Sequence, residues 1–459
     1  MAREIEREQV PAEPPAEAAA RAEPFVVAIG ASAGGLEALR TLFGNMPGDS
    51  GATFVVVAHR SPHQDSRLVE LLQPYTELPV RAVERTTPLE PDTVFILQPS
   101  AGVTAVDTHA RLTTAAARSG DRARIDQLFR AVAAGHGGRS IGVLLTGAGS
   151  DGAIGLRQIK DAGGLVIVQE PEEAEYDGMP RSAIEAGAAD LVLPLREIAQ
   201  AIPRYCNSPL RLSPTELRDV GAAGEPAPLV ELCALLSARV NRDFSVYESS
   251  FVADRVAKRM RLRGLDRFPE YLRLIAAEAD ESIALASDLL QNATQFFGDA
   301  ERARRLEQDL LPQIFDRKST EHDAVRVWCV GCGTGENAYS VAMQLLEESM
   351  RRRVQPHVQV FASDPVEDLL QRARLGLYPP EIADSVSAVR LANFFMRDER
   401  GYRVRPLLRR AVTFACHDVF SDFPFAHLDL IVCRRRLLHD LKPGVRRSAL
   451  HSFHFALEP

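Results

Sequence analysis

From Phe25 onward, short and almost wholly apolar runs alternate with longer stretches in which apolar residues recur every three or four positions. FVVAIG, ATFVVVAH, TVFILQ, SIGVLLTG, LVIVQE and ADLVLP predict strands, and Leu36, Leu39 and Phe43 after the first run predict a helix. Strands alternating with helices predict a mostly parallel sheet covered on both faces, closing near Tyr205. NSPLRLSPTELRDVGAAGEPAP, rich in Pro, Gly and Ser, predicts a linker. From Leu229 to about Phe315 the period is helical with no strand signal. Beyond Val325 the runs VRVWCVG, VQVFASD, AVTFACHD and LDLIVC restore the strand–helix alternation. The expected fold class is α/β, with two parallel-sheet (Rossmann-like) domains and a small all-helical unit between them. The expected boundaries are a disordered tail over 1–24, a first α/β domain over 25–206, a linker over 207–228, helices over 229–316 and a second α/β domain over 317–459.

Composition narrows the function classes. At 459 residues the chain is long enough for about three units. A net charge of −8 argues against nucleic acid as the main partner, since phosphate binding needs a basic face. Six scattered cysteines do not form the spacing of a small disulfide framework, so a reducing cytoplasm is expected. The first residues lack an apolar core for a signal peptide, and no stretch approaches the ~18 apolar residues of a membrane span, so no direct membrane insertion is expected.

Gly30-Ala31-Ser32-Ala33-Gly34 admits two chemistries: glycines that cradle a phosphate, or an elbow that exposes Ser32 as a nucleophile. Residues beyond the carboxyl ends of strands decide between them. His59 follows ATFVVVA, and Asp151 follows the SIGVLLTG run, so a hydroxyl, an imidazole and a carboxylate stand at three strand ends. That set suits acyl transfer: His59 takes the Ser32 proton and Asp151 orients the imidazolium. The phosphate reading lacks G-x-G-x-x-G and an acidic end on the next strand. A His59–His63 metal pair is disfavoured by Pro62 between them. The order Ser, His, Asp also differs from that of α/β-hydrolases.

In the second α/β unit, GCGTG after VWCVG has glycine spacing that lets a backbone approach a cofactor, and VQVFASD ends in Asp364, suited to ribose hydroxyls. Cys329 and Cys332 form a C-x-x-C without a second pair, which reads as core packing.

IGASAGGLEAL, VVVAHRSPHQDSRLVELL, RIDQLFRAVA and LLTGAGSDGAIGLRQIKDAGGLVIVQEPEEAEYDGMPRSAI resemble the catalytic domain of CheB-type protein-glutamate methylesterases of bacterial chemotaxis. The resemblance implies a Ser32, His59 and Asp151 triad that cleaves glutamate γ-methyl esters on receptor cytoplasmic helices, with glutamine deamidation as a related activity and no cofactor. Ala33 and Ala148 stand where many relatives have Thr and Met. Many relatives also carry a phospho-receiver ahead of this domain, so activation by an attached receiver is not expected within this chain.

DFSVYESSFVADRVAKRMRLRGLDRFPEYL, NATQFFGD, VWCVGCGTGENAYSVAM, FASD and FAHLDLIVCR resemble CheR-type protein-glutamate methyltransferases. This implies an S-adenosylmethionine site lined by Thr294, Gly331, Gly333, Glu336, Asp364 and Asp418, with a helical unit that docks to the receptor. Gly298 replaces an Arg beside the family's transfer centre and Arg435 replaces an Asn. The chain closes at FALEP, short of the family's final strands, so an exposed sheet edge is expected. The expectation is a working esterase fused to a methyltransferase-like domain whose competence is open. Two alternatives remain: a fully bifunctional enzyme, and a non-catalytic receptor-binding module. Expected partners are methylated chemoreceptor-like proteins and a histidine kinase or response regulator.

Overall fold

The computed structural model describes residues 24–58, 67–84, 86–97, 102–113, 124–208, 210, 227–240, 242–290, 295–298, 300–318, 320, 323–352, 356–399 and 401–458. The expected tail and most of the expected linker lie outside these residues.

The first part contains β1 (Phe25–Ala31), β2 (Ala52–Ala58), β3 (Val80–Ala82), β4 (Thr86–Pro88), β5 (Val94–Ile96), β6 (Gly102–Val106), β7 (His109–Thr113), β8 (Ser140–Leu144), β9 (Leu165–Gln169) and β10 (Leu191–Leu193). Seven form one parallel sheet in the order β10-β9-β8-β1-β2-β5-β3. β1 and β2 are buried along their whole length, as strands covered on both faces must be. Successive side chains leave opposite faces. Val27, Ile29, Phe54 and Val56 therefore enter one core, while Val26, Ala28, Val55 and Val57 enter the other. The chain passes from β1 to β2 on one side and returns to β8 on the other, so the strand order reverses between β1 and β8.

The last part contains β11 (Ala324–Val330), β12 (His357–Asp364), β13 (Leu377–Tyr378), β14 (Phe395–Asp398), β15 (Gly401–Val404), β16 (Val412–Cys416) and β17 (Leu430–Cys433). Its parallel sheet runs β16-β12-β11-β17, and the order reverses between β11 and β17. Val325, Val327 and Cys329 pack into one core, and Trp328 and Val330 into the other. Among the described residues β17 lies at one edge of this sheet, and its residues are half-buried. The segment after it folds back: Leu428 N–H donates to Ala456 O at 3.0 Å and Glu458 N–H to Leu428 O at 2.9 Å.

Between the sheets, helices Ala227–Val240, Ser249–Arg263, Phe268–Ala277 and Ala279–Leu290 enclose a core that includes Leu236, Val256, Met260, Tyr271 and Leu285. Helix Ser249–Arg263 docks on the first sheet unit. Lys258 Nζ lies 2.7 Å from Asp190 Oδ2, with both side chains within 3 % of full burial. Lys160 Nζ reaches the other oxygen at 3.2 Å. Burial pushes the Asp190 carboxyl up, but Lys258 and Lys160 outweigh it and hold the group below the usual carboxylate range. Arg255 Nη2 donates to Asp161 O at 2.5 Å, and the Arg261 guanidinium lies over the Phe25 and Tyr205 rings. Lys258, Arg255 and Arg261 of the helical unit, which the resemblance implied docks to a receptor, thus pack against the neighbouring unit.

The six apolar runs of the first unit and the four of the last all become parallel strands. The antiparallel sheets β4-β7-β6 and β13-β15-β14 were not expected. Their strands have two to five residues, and sequences such as HARLT carry no continuous apolar signal.

Candidate functional sites at two sheet reversals

Ser32 is the first residue past β1, and its N–H donates to Thr146 O, two residues beyond β8, at 3.0 Å. This bond fastens the Ser32 turn across the strand reversal. Gly34 caps the following helix Gly35–Gly44 at φ +74, where a side chain is strained. A Cβ on Gly147 would meet Ser32 Cβ at 2.9 Å and Met179 Sδ at 2.1 Å, so the close approach of the two strand ends requires glycine there. Thr146 reinforces the turn: its hydroxyl lies 3.1 Å from Ala33 O and accepts Tyr176 N–H at 2.9 Å. The motif reading missed Thr146 and Met179, whose roles depend on residues distant in sequence.

Asp151 lies past β8, on the approach to helix Ala153–Asp161. Its two carboxylate oxygens accept Ile125 N–H at 3.2 Å and Asp126 N–H at 3.1 Å, both at the start of helix Arg124–His136. This positions the carboxylate at the positive end of a helix. Asp126 itself is 3 % exposed and accepts Gly155 N–H at 2.5 Å. Burial, with the Asp151 charge adding, pushes its pKa up to about 8. His59 lies outside the described residues, as does His63. Ala58, which precedes His59, is the register partner of Ala31, which precedes Ser32.

At the second reversal, Gly331, Gly333 and Gly335 adopt φ +68, +55 and +95 between β11 and helix Glu336–Arg351. Gly333 N–H donates to Asp364 Oδ2 at 2.9 Å, and Val366 N–H to Asp364 Oδ1 at 3.0 Å. The acidic strand end therefore fastens the glycine turn, and each oxygen has a second lone pair for another donor. Asp364 is 2 % exposed, and burial pushes its carboxyl up against those bonds and the nearby Arg434 and Arg242. Glu336 accepts the Thr334 hydroxyl at 2.7 Å. Asp418 pairs with Arg242 at 2.5 Å, so it joins the group through an arginine that the motifs did not single out. Thr294 lies outside the described residues.

Arg434, just past β17, adds a buried Nη1 with no hydrogen-bond partner among the described residues. A left-handed glycine turn, an acidic strand end and an unsatisfied buried cation suit a nucleoside cofactor that carries an anionic group. Cys329 and Cys332 are fully buried, and burial raises both thiols, Cys329 to about 12. They pack as core, and no metal-binding cluster occurs among the described residues. Gly298 lies where a Cβ would meet only Gln295, at 3.3 Å. No helix among the described residues is long and apolar enough to cross a membrane.

Residues 27–202 match the CheB methylesterase family, 228–290 the all-alpha domain of CheR methyltransferase and 292–459 its SAM-binding domain. An uncharacterized 104.1 kDa protein of Rhodobacter capsulatus is 32 % identical over 409 residues, covering 85 % of this chain and 43 % of that protein. A protein-glutamate methylesterase/protein-glutamine glutaminase of Moorella thermoacetica is 41 % identical over 183 residues, covering 39 % of this chain and 43 % of that protein. The chain thus spans less than half the length of these two relatives. A Leptospira interrogans protein named "Putative protein-glutamate methylesterase/protein-glutamine glutaminase" is 35 % identical, and the match covers 39 % of this chain and 93 % of that protein. The Thermotoga maritima CheB methylesterase catalytic domain is 30 % identical at a TM-score of 0.36, covering 40 % of this chain and 98 % of that one. The chain belongs to the CheB methylesterase family and continues into the helical and SAM-binding domains of CheR methyltransferases.

Proposed function

We propose that the first α/β unit, residues 25–206, hydrolyses glutamate γ-methyl esters on the cytoplasmic helices of chemoreceptor-like proteins, and that Ser32, His59 and Asp151 do the work. The observation that carries this reading is the fastening of the Ser32 turn to the end of β8 at the strand reversal, five residues before Asp151. Ser32 Oγ attacks the ester carbonyl while His59 takes its proton, and Asp151 stabilises the imidazolium. The tetrahedral oxyanion is held by backbone N–H groups of the glycine turn. On collapse the carbon–methoxyl bond breaks and His59 returns the proton to methoxide, so methanol leaves. Water, activated by His59, then frees glutamate and restores Ser32. A glutamine side chain follows the same course with ammonia leaving.

The second α/β unit, 317–459, binds S-adenosylmethionine, which supplies an electrophilic methyl group when bound. Gly331 and Gly333 shape the turn, Asp364 and Asp418 accept from hydroxyls, Glu336 and Thr294 are further ligand contacts, and Arg242 of the helical unit braces Asp418. Gly298 favours binding without fast methyl transfer, because it brings no side chain to the transfer centre. The fusion works in the cytoplasm with methylated receptors, and a histidine kinase or response regulator is a further partner. The test is methanol release from a methylated receptor fragment by the wild type and by Ser32→Ala. Release by the wild type alone supports the triad, whereas equal release overturns it.

A further inference from the structure

A cavity of about 380 Å³ lies between the two enzyme units rather than within either. One wall is helix Ala153–Asp161 of the esterase unit, with Ile154 and Arg157 facing in; the other carries Phe296, Thr334, Glu336 and Tyr378. Arg157 Nη2 donates to Thr334 Oγ1 at 3.3 Å, and its Nη1 stands 3.6 Å from Glu336 Oε1. The next residue, Gln158, donates to Gln295 Oε1 at 3.2 Å, three residues before Gly298. The esterase helix therefore meets both the glycine turn and the segment whose glycine offers no side chain.

The Arg157–Glu336 pair is loose. A closed charge-assisted bond is about 2.7–2.9 Å long, so a guanidinium at 3.6 Å keeps donors for another anion. An adjacent cation and anion on a cavity wall match the α-carboxylate and α-ammonium of an amino acid. Arg434, with its buried unpaired Nη1, brings a second cation, held in the field of Asp161 of the same esterase helix first and of Asp364 and Glu336 after it. A buried donor without a partner costs stability until a ligand satisfies it.

We propose that Arg157 of the esterase unit completes the cofactor pocket of the methyltransferase unit, holding with Arg434 the carboxylate of the cofactor's amino-acid end while Glu336 holds its ammonium. The cofactor site is then built from both halves of the chain. This rests on the cofactor-binding reading above and adds a residue that the methyltransferase unit does not contain.

The experiment is calorimetric titration of the full chain with S-adenosylhomocysteine and with 5′-methylthioadenosine, which shares the nucleoside and thioether but has no amino-acid end. The wild type is expected to bind the first more tightly. Arg157→Met is expected to weaken S-adenosylhomocysteine by about tenfold or more while moving methylthioadenosine less than about twofold, since a charged hydrogen bond contributes about 1.5–3 kcal/mol. Arg157→Lys, which keeps the charge but not the fork, is expected to fall between. An equal loss for both ligands marks a merely structural arginine and overturns the proposal, as does no change for either. If neither ligand binds the wild type, the cofactor-binding reading itself has failed, an outcome distinct from a variant that leaves binding unaltered.

Discussion

The two strand–turn–helix units at Phe25–Gly44 and Ala324–Arg351 share their architecture and differ in chemistry. Each leaves the central strand of a parallel sheet at a strand-order reversal, and each starts its helix on a glycine in the left-handed region, Gly34 or Gly335. In the first, the turn is fastened by backbone, Ser32 N–H to Thr146 O, with a neutral hydroxyl, Thr146 Oγ1 to Ala33 O, beside it. The Ser32 side chain is the product of the turn. In the second, the turn is fastened partly by a side chain: Gly333 N–H to the Asp364 carboxylate. There the strand-end acid itself holds the loop. A glycine turn thus declares a site, and the ends of the neighbouring strands decide what the site does.

The biggest change is expected from Ser32→Ala. If the first turn exists to expose a nucleophile, hydrolysis of a methylated receptor fragment falls by about 10³-fold or more. Binding of S-adenosylhomocysteine at the second turn stays as it was. A variant that still hydrolyses would place the nucleophile elsewhere and end the distinction between the turns.

Next in size is the join between the halves. Lys258→Met leaves Asp190 buried with Lys160 as its remaining cation, and removal of one partner of a buried pair costs about 3 kcal/mol. Urea unfolding should shift to lower midpoint, with proteolytic sensitivity appearing first at helix Ser249–Arg263. An unshifted midpoint would mean that this pair does not hold helix and esterase unit together.

Smaller still, and more selective, are the glycine caps. A Cβ on Gly34 meets Glu175 Oε2 at 2.7 Å, and one on Gly335 meets Ala373 Cβ at 2.9 Å, both at positive φ. Each alanine variant should lose about 1–2 kcal/mol of stability. Gly34→Ala should impair methanol release alone, and Gly335→Ala should impair calorimetric cofactor binding alone. Crossed effects would show that the two turns do not act separately.

Much of this was legible from residue order because parallel strands covered on both faces write themselves as mostly apolar runs. FVVAIG and VRVWCVG needed no structure to be read; Ser32 and Gly333 stand two residues past such runs, Asp364 ends one, and Asp151 stands four residues past SIGVLLTG. The short antiparallel sheets were not legible, since their few residues are only partly covered. Nor were Arg157, Arg242 and Asp126. Each acts on a residue at least 25 positions away, or on another unit, and nothing local marks it.

Asp126 gives the finest separation of the two sites, through protons. Its carboxyl, pushed up to about 8 by burial and by Asp151, stays protonated in the folded protein at neutral pH, whereas the unfolded chain ionises near the usual 3.8. A group whose pKa is raised by folding contributes stability that is full below the unfolded value and is lost as pH rises through the folded one. Asp126→Asn removes the titration but keeps an oxygen for Gly155 N–H. Wild type and variant should therefore be closest below about pH 4, and the wild type should lose ground by up to about 1.4 kcal/mol per pH unit from there to about pH 8. Asp364 is also pushed up by burial, but two backbone donors and nearby arginines oppose the push. Asp364→Asn should consequently show a shallower difference of the same sign. Parallel profiles for Asp126→Asn and the wild type would mean that Asp126 is ionised beside Asp151. The first site would then hold two adjacent carboxylates, and its acid would differ from that of the second in charge density rather than in protonation.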